Sequence, residues 1–342
     1  MTELLTKVKL PKASFSIDHS SRMMSLGSCF SEGIGERLAR GKFSCDINPF
    51  GILYNSYSIA KAIDTMVEGH LYDEDSPELF STGDGWWHSF MHHSRFSAPT
   101  KEECLRLING RLQTAIEELP KLDVLLVTLG TAYTYSLKDR RPEQLDGYAF
   151  AGAVANCHKL PEKLFVREMQ APLGVVESLS YAFERLAKAN SKVQVLLTVS
   201  PIRYVRDGFH DSQLSKASLL LGVDELCRKY PNCSYFPAYE ILLDELRDYR
   251  FYADDMLHPS ALAVDYIWEY FCQTYLTKNA RDVMAECQDI SRALEHRPFH
   301  PDSEQYKNFL TQITLKIGRL MEKCPTLDFK KELELCRTRL KQ

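Results

Sequence analysis

Up to about residue 275 the apolar positions of this chain alternate between two textures, and after it only one remains. Three runs, RMMSLG (22–27), LDVLLVTLG (122–130) and KVQVLLTVSP (192–201), are almost continuously apolar and end in turn-prone residues. That is the pattern of strands buried on both faces of a parallel sheet. NCSYFPA (232–238) and KFSCDINPFG (42–51) are weaker strands of the same kind. Between the runs, apolar residues recur three or four apart. Phe30, Ile34 and Leu38 form one set, and Leu173, Val176, Leu179, Ala182 and Leu186 another. Residues 100–119, opening on Thr100 and acidic residues, and 211–229 repeat the theme, and all four predict amphipathic helices. Strands alternating with helices predict an α/β domain with a mainly parallel sheet and functional residues at the carboxyl ends of its strands.

Residues 71–99 and 131–170 show neither period and read as long loops, which in a compact domain are often functional. Beyond residue 280 no strand-like run follows. DSEQYKNFLTQITLKIGRLMEKC and TLDFKKELELCRTRLK read as amphipathic helices after a break at Pro298 and Pro301. The expected organisation is a catalytic α/β domain over 1–278 and a helical extension over 279–342. The extension either packs on the core or joins copies into a homo-oligomer.

Composition narrows the class. The 342 residues are 44% hydrophobic and 26% charged, with a net charge of −4. A globular fold with a sizeable core follows, and a strongly basic nucleic-acid surface does not. No window reaches the roughly 20 apolar residues of a membrane span. The opening stretch lacks the apolar centre and small-residue cleavage site of a signal peptide. The ten cysteines are scattered with no CxxC pair, so reduced thiols and a cytoplasmic location are expected.

Two short segments carry candidate chemistry. In SLGSCFSEGIGERLA (25–39), Ser28 follows a strand and Gly27 and precedes a helix. It reads as a helix N-cap, or as a hydroxyl exposed on a strand-to-helix turn beside free backbone N–H groups. Cys29 reads as a buried thiol, the alternative being a nucleophile activated at a helix N-terminus. In YADDMLHPSA (252–261), Asp255 stands three residues before His258. An acid and an imidazole so spaced can orient and activate a serine, or merely cap a helix. DGWWHSFMHHSRFS (84–97) sets His88, His92 and His93 among aromatics. A metal face at His88 and His92 would need a helix there and a further ligand, and none is suitably spaced. Arg203 and Arg206, with Lys216, could hold an anionic group. There is no glycine-rich phosphate loop, and neither a metal nor an organic cofactor is expected.

GSCFS (27–31), NPFGILYNS (48–56), LGTAYTY (129–135), NCHKLP (156–161) and SPIRYVRDGFHDSQLSKASL (200–219), together with the DxxH segment, resemble the GSCFA family, a branch of the SGNH hydrolase superfamily. The resemblance spans roughly residues 20 to 275. It implies a three-layer α/β/α sandwich and ester chemistry through an acyl-serine. Ser28 would be the nucleophile, His258 the base and Asp255 its orienter. The oxyanion hole would draw on the backbone of Ser28 or Cys29, on Gly51, and on Thr131 in place of the superfamily's Gly-x-Asn asparagine, where this chain has Ala132. Losing one such donor typically costs about 3–4 kcal/mol of transition-state stabilisation. Gly130, His92, His158 and Arg203 are candidate substrate-binding residues. The substrate would be a small acyl ester, such as an acylated carbohydrate, with water or a hydroxyl as acceptor. The other reading is a binding protein that keeps the fold without turnover.

Overall fold

The computed structural model describes residues 5–83, 85–140, 142, 145–147, 150, 152–206, 208–296, 298–300 and 302–341; Pro301, one of the two expected breaks, lies outside them. Five strands form the central sheet: β1 (Arg22–Gly27), β2 (Ser44–Ile47), β5 (Val124–Leu129), β10 (Gln194–Val199) and β11 (Cys233–Tyr235). All pair in parallel, in the order β11-β10-β5-β1-β2. Alternation along these strands builds two cores. Met24, Leu26, Leu125, Val127, Val195 and Leu197 face one side, under α2 (Ser56–Glu68), α3 (Lys101–Glu118), α4 (Pro172–Ala189) and α5 (Gly208–Lys229). Met23, Val124, Leu126 and Leu196 face the other, under α1 (Cys29–Arg40), the turn α6 (Ala238–Glu240) and α7 (Ala261–Tyr275). The result is a three-layer α/β/α sandwich.

The two stretches expected as loops are instead small antiparallel sheets. β3 (Leu79–Ser81) pairs with β4 (Trp87–Ser89) and β7 (Asp146–Gly147). β6 (Tyr133–Leu137) pairs with β8 (Ala153–Val154) and β9 (Phe165–Met169). Their strands run two to five residues, and every residue of β6 is half-buried. Such strands are too short to print a period of two. Phe80, Phe90, Met91, Phe150, Val154 and Phe165 give them a core of their own. Because β4 is extended, His88 and His92 do not share a helical face, and no cluster of metal-ligating side chains exists among the described residues.

The extension consists of α8 (Lys278–Glu295), α9 (Glu304–Lys323) and α10 (Lys330–Leu340), packed around Val283, Ile290, Leu310, Ile317, Phe329 and Cys336. It docks on the sandwich: Lys42 Nζ lies 2.6 Å from Glu332 and over the Phe329 ring, and Thr326 Oγ1 donates to the His19 carbonyl. All ten cysteines are free. Among the described residues no helix is long and apolar enough to cross a membrane.

Candidate active site

The carboxyl ends of β1, β5 and β10 open onto a cleft of about 540 Å³. Its floor comes from the β1–α1 turn. Gly27, at φ +143°, sits against the Thr128 carbonyl, and its N–H donates to Asn48 Oδ1 at 3.0 Å. The Ser28 N–H donates to Thr128 O at 3.3 Å, so the turn is clamped to both neighbouring strands. Ser28 occupies the N-cap position, yet its side chain makes no cap bond. Its hydroxyl is sealed from solvent (1% exposed residue) and has no hydrogen-bond partner among the described residues. It is not the residue that meets the cleft. The next one is: Cys29 is half-exposed and lines the cleft together with His258. Burial pushes the Cys29 thiol above its ordinary range, opposed by its own N–H, that of Phe30 and the charge of Lys216. The thiol is therefore protonated at rest.

An acid–imidazole pair is built by the loop before α7. Asp255 Oδ1 accepts the N–H groups of Leu257 and His258, each at 2.9 Å, and Oδ2 lies 2.5 Å from His258 Nδ1. The two backbone donors, and then the imidazole, hold the Asp255 carboxyl down at about 2. An ionised acceptor at Oδ2 favours the proton on Nδ1 and leaves the Nε2 lone pair as an acceptor. The loop is buttressed from β10: the Arg203 N–H donates to Leu257 O at 3.1 Å, and its Nη1 to Met256 O at 3.0 Å.

The expected oxyanion donors are placed differently. The Gly51 N–H donates to Asn48 O at 2.8 Å inside its turn, and Gly51 is needed for space, since a Cβ there would lie 2.2 Å from His93 Cβ. The N–H groups of Gly130 and Thr131 both donate to the Tyr54 carbonyl, at 2.7 and 3.0 Å. Ala132 is buried in the core, and its N–H donates to Ser215 Oγ at 2.8 Å. Thr131 does line the cleft, but its Oγ1 accepts the Tyr133 N–H and pairs with Ser215 Oγ. The sequence reading missed Asn55. It caps α2 through Oδ1, which accepts the Ser58 N–H at 2.9 Å, and it lines the cleft. Its Nδ2 has no hydrogen-bond partner among the described residues. A cap-forming Asn in the NPFGILYNS block was the available signal, hidden because capping alone explains an Asn before a helix.

Lys216 is not among the residues that line the cleft. It is 2% exposed, and its Nζ donates to the carbonyls of Gly130 (2.6 Å) and Ser200 (2.7 Å), tying together the ends of β5 and β10 beneath the cleft. Burial pushes its ammonium down to about 7, with Cys29 pulling the other way.

Among the substrate-binding candidates, Arg203 lines the cleft. Gly130 is buried, with its N–H and carbonyl both engaged. His92 is 1% exposed, stacked on Phe50 and bonded through Nδ1 to Ser89 Oγ; its neighbour His93 is the cleft residue. His158 bonds through Nε2 to Ser89 O at 2.8 Å, and its neighbours Asn156 and Cys157 line the cleft.

Burial pushes His92 down to about 3 and His158 down to about 4. Both are neutral when folded and take up protons on unfolding below the ordinary value of 6.5, so stability falls as pH drops from there toward 4. Each contributes a slope approaching about 1.4 kcal/mol per pH unit. The unfolding midpoint in urea should drop between pH 6.5 and 4.5, less steeply in His92→Phe than in the parent. An equal slope in the two proteins counts against this origin.

The architecture and the strand-end cleft define an α/β protein of the parallel-sheet class. Within that class the chain belongs to the GSCFA family. Residues 22–271 match the model of that family, and residues 287–342 match the model described as GSCFA domain protein, C-terminal domain. No curated protein matches. Solved structures that are similar include a carbohydrate esterase family 3 protein from Talaromyces cellulolyticus and an acetyl esterase mutant with acetate ion. Each is 9% identical, with a TM-score of 0.35, over 79% of this chain and 99% of the other.

Proposed function

We propose that this protein transfers acyl groups from esters through a covalent intermediate on Cys29, with His258 as general base and Asp255 as its orienter. The observation that carries this reading is the shared cleft: Cys29 and His258 line it, and His258 is locked in the tautomer that accepts a proton at Nε2. The Cys29 sulfur attacks the ester carbonyl as its proton passes to His258 Nε2. The carbonyl becomes a tetrahedral oxyanion, served by the first-turn N–H groups of α1 and by Asn55 Nδ2. The C–O bond then breaks, the departing alcohol takes the proton from His258, and an acyl-thioester remains. An incoming hydroxyl, from water or an alcohol, loses its proton to His258 as it attacks. The C–S bond breaks and the thiol is reprotonated. Water makes the protein an esterase; an alcohol acceptor, such as a sugar hydroxyl, makes it an O-acyltransferase.

Denaturing mass spectrometry after brief mixing with p-nitrophenyl acetate tests this. The expected result is one acetyl group on the peptide containing Cys29, removed by neutral hydroxylamine as a thioester is. It should be absent in Cys29→Ala and strongly reduced in His258→Ala. Acetyl on Ser28, or none on a folded protein, overturns the reading. The second outcome favours a binding protein, which the engaged N–H groups of Gly51, Gly130 and Thr131 would suit.

A further inference from the structure

The cleft walls carry a charge pattern that acyl transfer alone does not require. Three arginines line them: Arg167 on β9, and Arg203 and Arg206 on the segment after β10. No Asp or Glu is among the described residues that line the cleft. Two of the guanidinium groups are held by aromatic rings. Arg167 sits over the Tyr133 ring, 3.3 Å from its centroid, with its Nε donating to Tyr135 Oη at 2.8 Å. Arg203 sits among Phe209, Tyr249 and Tyr252, at 4.3 to 5.6 Å. Its Nη1 donates to the Met256 carbonyl at 3.0 Å rather than to a carboxylate. Arg206 pairs with Glu162, but that carboxylate's side chain is 81% exposed, and so open a pair is worth little and can exchange for a ligand anion. Ring-held guanidinium groups lose little freedom on binding and present forked donors that match a carboxylate or a phosphate. Opposing charges nearby include that of Glu162, that of Glu32, which pairs with Arg95, and that of Asp255, whose carboxylate is occupied by His258 and its own loop.

We infer that the substrate is an ester bearing a carboxylate or a phosphate, held between the Arg167 wall and the Arg203–Arg206 wall with its acyl carbon over Cys29. This rests on the acyl-transfer reading of the same cleft. Tyr54, Tyr135 and Tyr204 also line the cleft and supply aromatic surface for the rest of the molecule.

Two substrate pairs locate the charge. Mono-p-nitrophenyl succinate against p-nitrophenyl pentanoate places it on the acyl side; para-acetoxyphenyl phosphate against phenyl acetate places it on the leaving group. In at least one pair kcat/KM should favour the anion by on the order of tenfold or more, the scale of a charged hydrogen bond. The preference should shrink with added salt and collapse toward unity in Arg167→Met or Arg206→Met. Equal rates in both pairs, or a preference that survives both substitutions, overturns the inference. Calorimetry of the same four esters with Cys29→Ala reads the preference without chemistry. Selective binding of an anion there, with no acylation of the parent protein, keeps this inference and discards the catalytic one. Acylation without selectivity does the reverse.

Discussion

Replacing Cys29 by Ala should abolish turnover, lowering kcat by about 10⁴-fold or more, as loss of an attacking atom does elsewhere. Ser28→Ala should leave kcat within a few-fold. The contrast is sharp because the two residues are adjacent and either could be the nucleophile on paper. It follows from where the chain points them. Ser28 Oγ is sealed beneath the turn without a partner, whereas Cys29 opens into the cleft that His258 shares. An unsatisfied buried hydroxyl is a liability of about 1 kcal/mol or more, so Ser28→Ala should also be neutral or slightly stabilising. Cys29→Ser is the finer probe. It keeps the shape but puts a far less acidic hydroxyl where burial already disfavours the anion, and it should fall well below the parent. Turnover lost in Ser28→Ala and kept in Cys29→Ala would reverse the assignment. Steady-state hydrolysis of an activated ester, with circular dichroism to establish folding, is sufficient.

Gly27→Ala should be among the most destabilising single-methyl additions in the protein. A Cβ at this position would lie 2.2 Å from the Thr128 carbonyl oxygen, and φ +143° is open to glycine and strained for any L side chain. Both strands belong to the centre of the sheet, so neither can move aside without breaking the β1–β5 ladder, where Gly27 pairs with Thr128. Overpacking and backbone strain together should cost about 4 kcal/mol, a large part of the roughly 5–15 kcal/mol typical of a domain. The urea midpoint should fall accordingly, and activity should fall in whatever remains folded, because the same clamp sets Cys29. Gly110→Ala is the control. A Cβ there meets nothing within 4 Å and the site is mid-helix in α3, so the midpoint should rise by the equivalent of up to about 1 kcal/mol. An unchanged midpoint in Gly27→Ala would mean that the turn is not clamped as described.

Legibility followed periodicity. The apolar runs at 22–27, 122–130 and 192–201 stand within two residues of β1, β5 and β10, because burial on both faces of a parallel sheet demands uninterrupted apolar residues. The helices after them were legible for the matching reason. The strands within 71–99 and 131–170 were not, since segments this short owe their pairing to residues distant in sequence. Asp255 and His258 were legible as a pair because three residues in a tight loop let one carboxylate reach both the backbone and the ring.

By itself, the sequence determined the central parallel strands and the helices between them, the helical character of the C-terminal segment, and the local union of an acid with an imidazole. All three arise from interactions a few residues long. What only the tertiary structure decided is which member of each neighbouring pair meets the cleft. It is Cys29 over Ser28 and His93 over His92, and Asn156 and Cys157 over His158. In turns and irregular loops no period of 2 or 3.6 assigns a side chain to a face. Direction there is set by contacts with distant segments: Thr128 and Asn48 against the β1–α1 turn, His93 against Gly51, and Ser89 against His92 and His158.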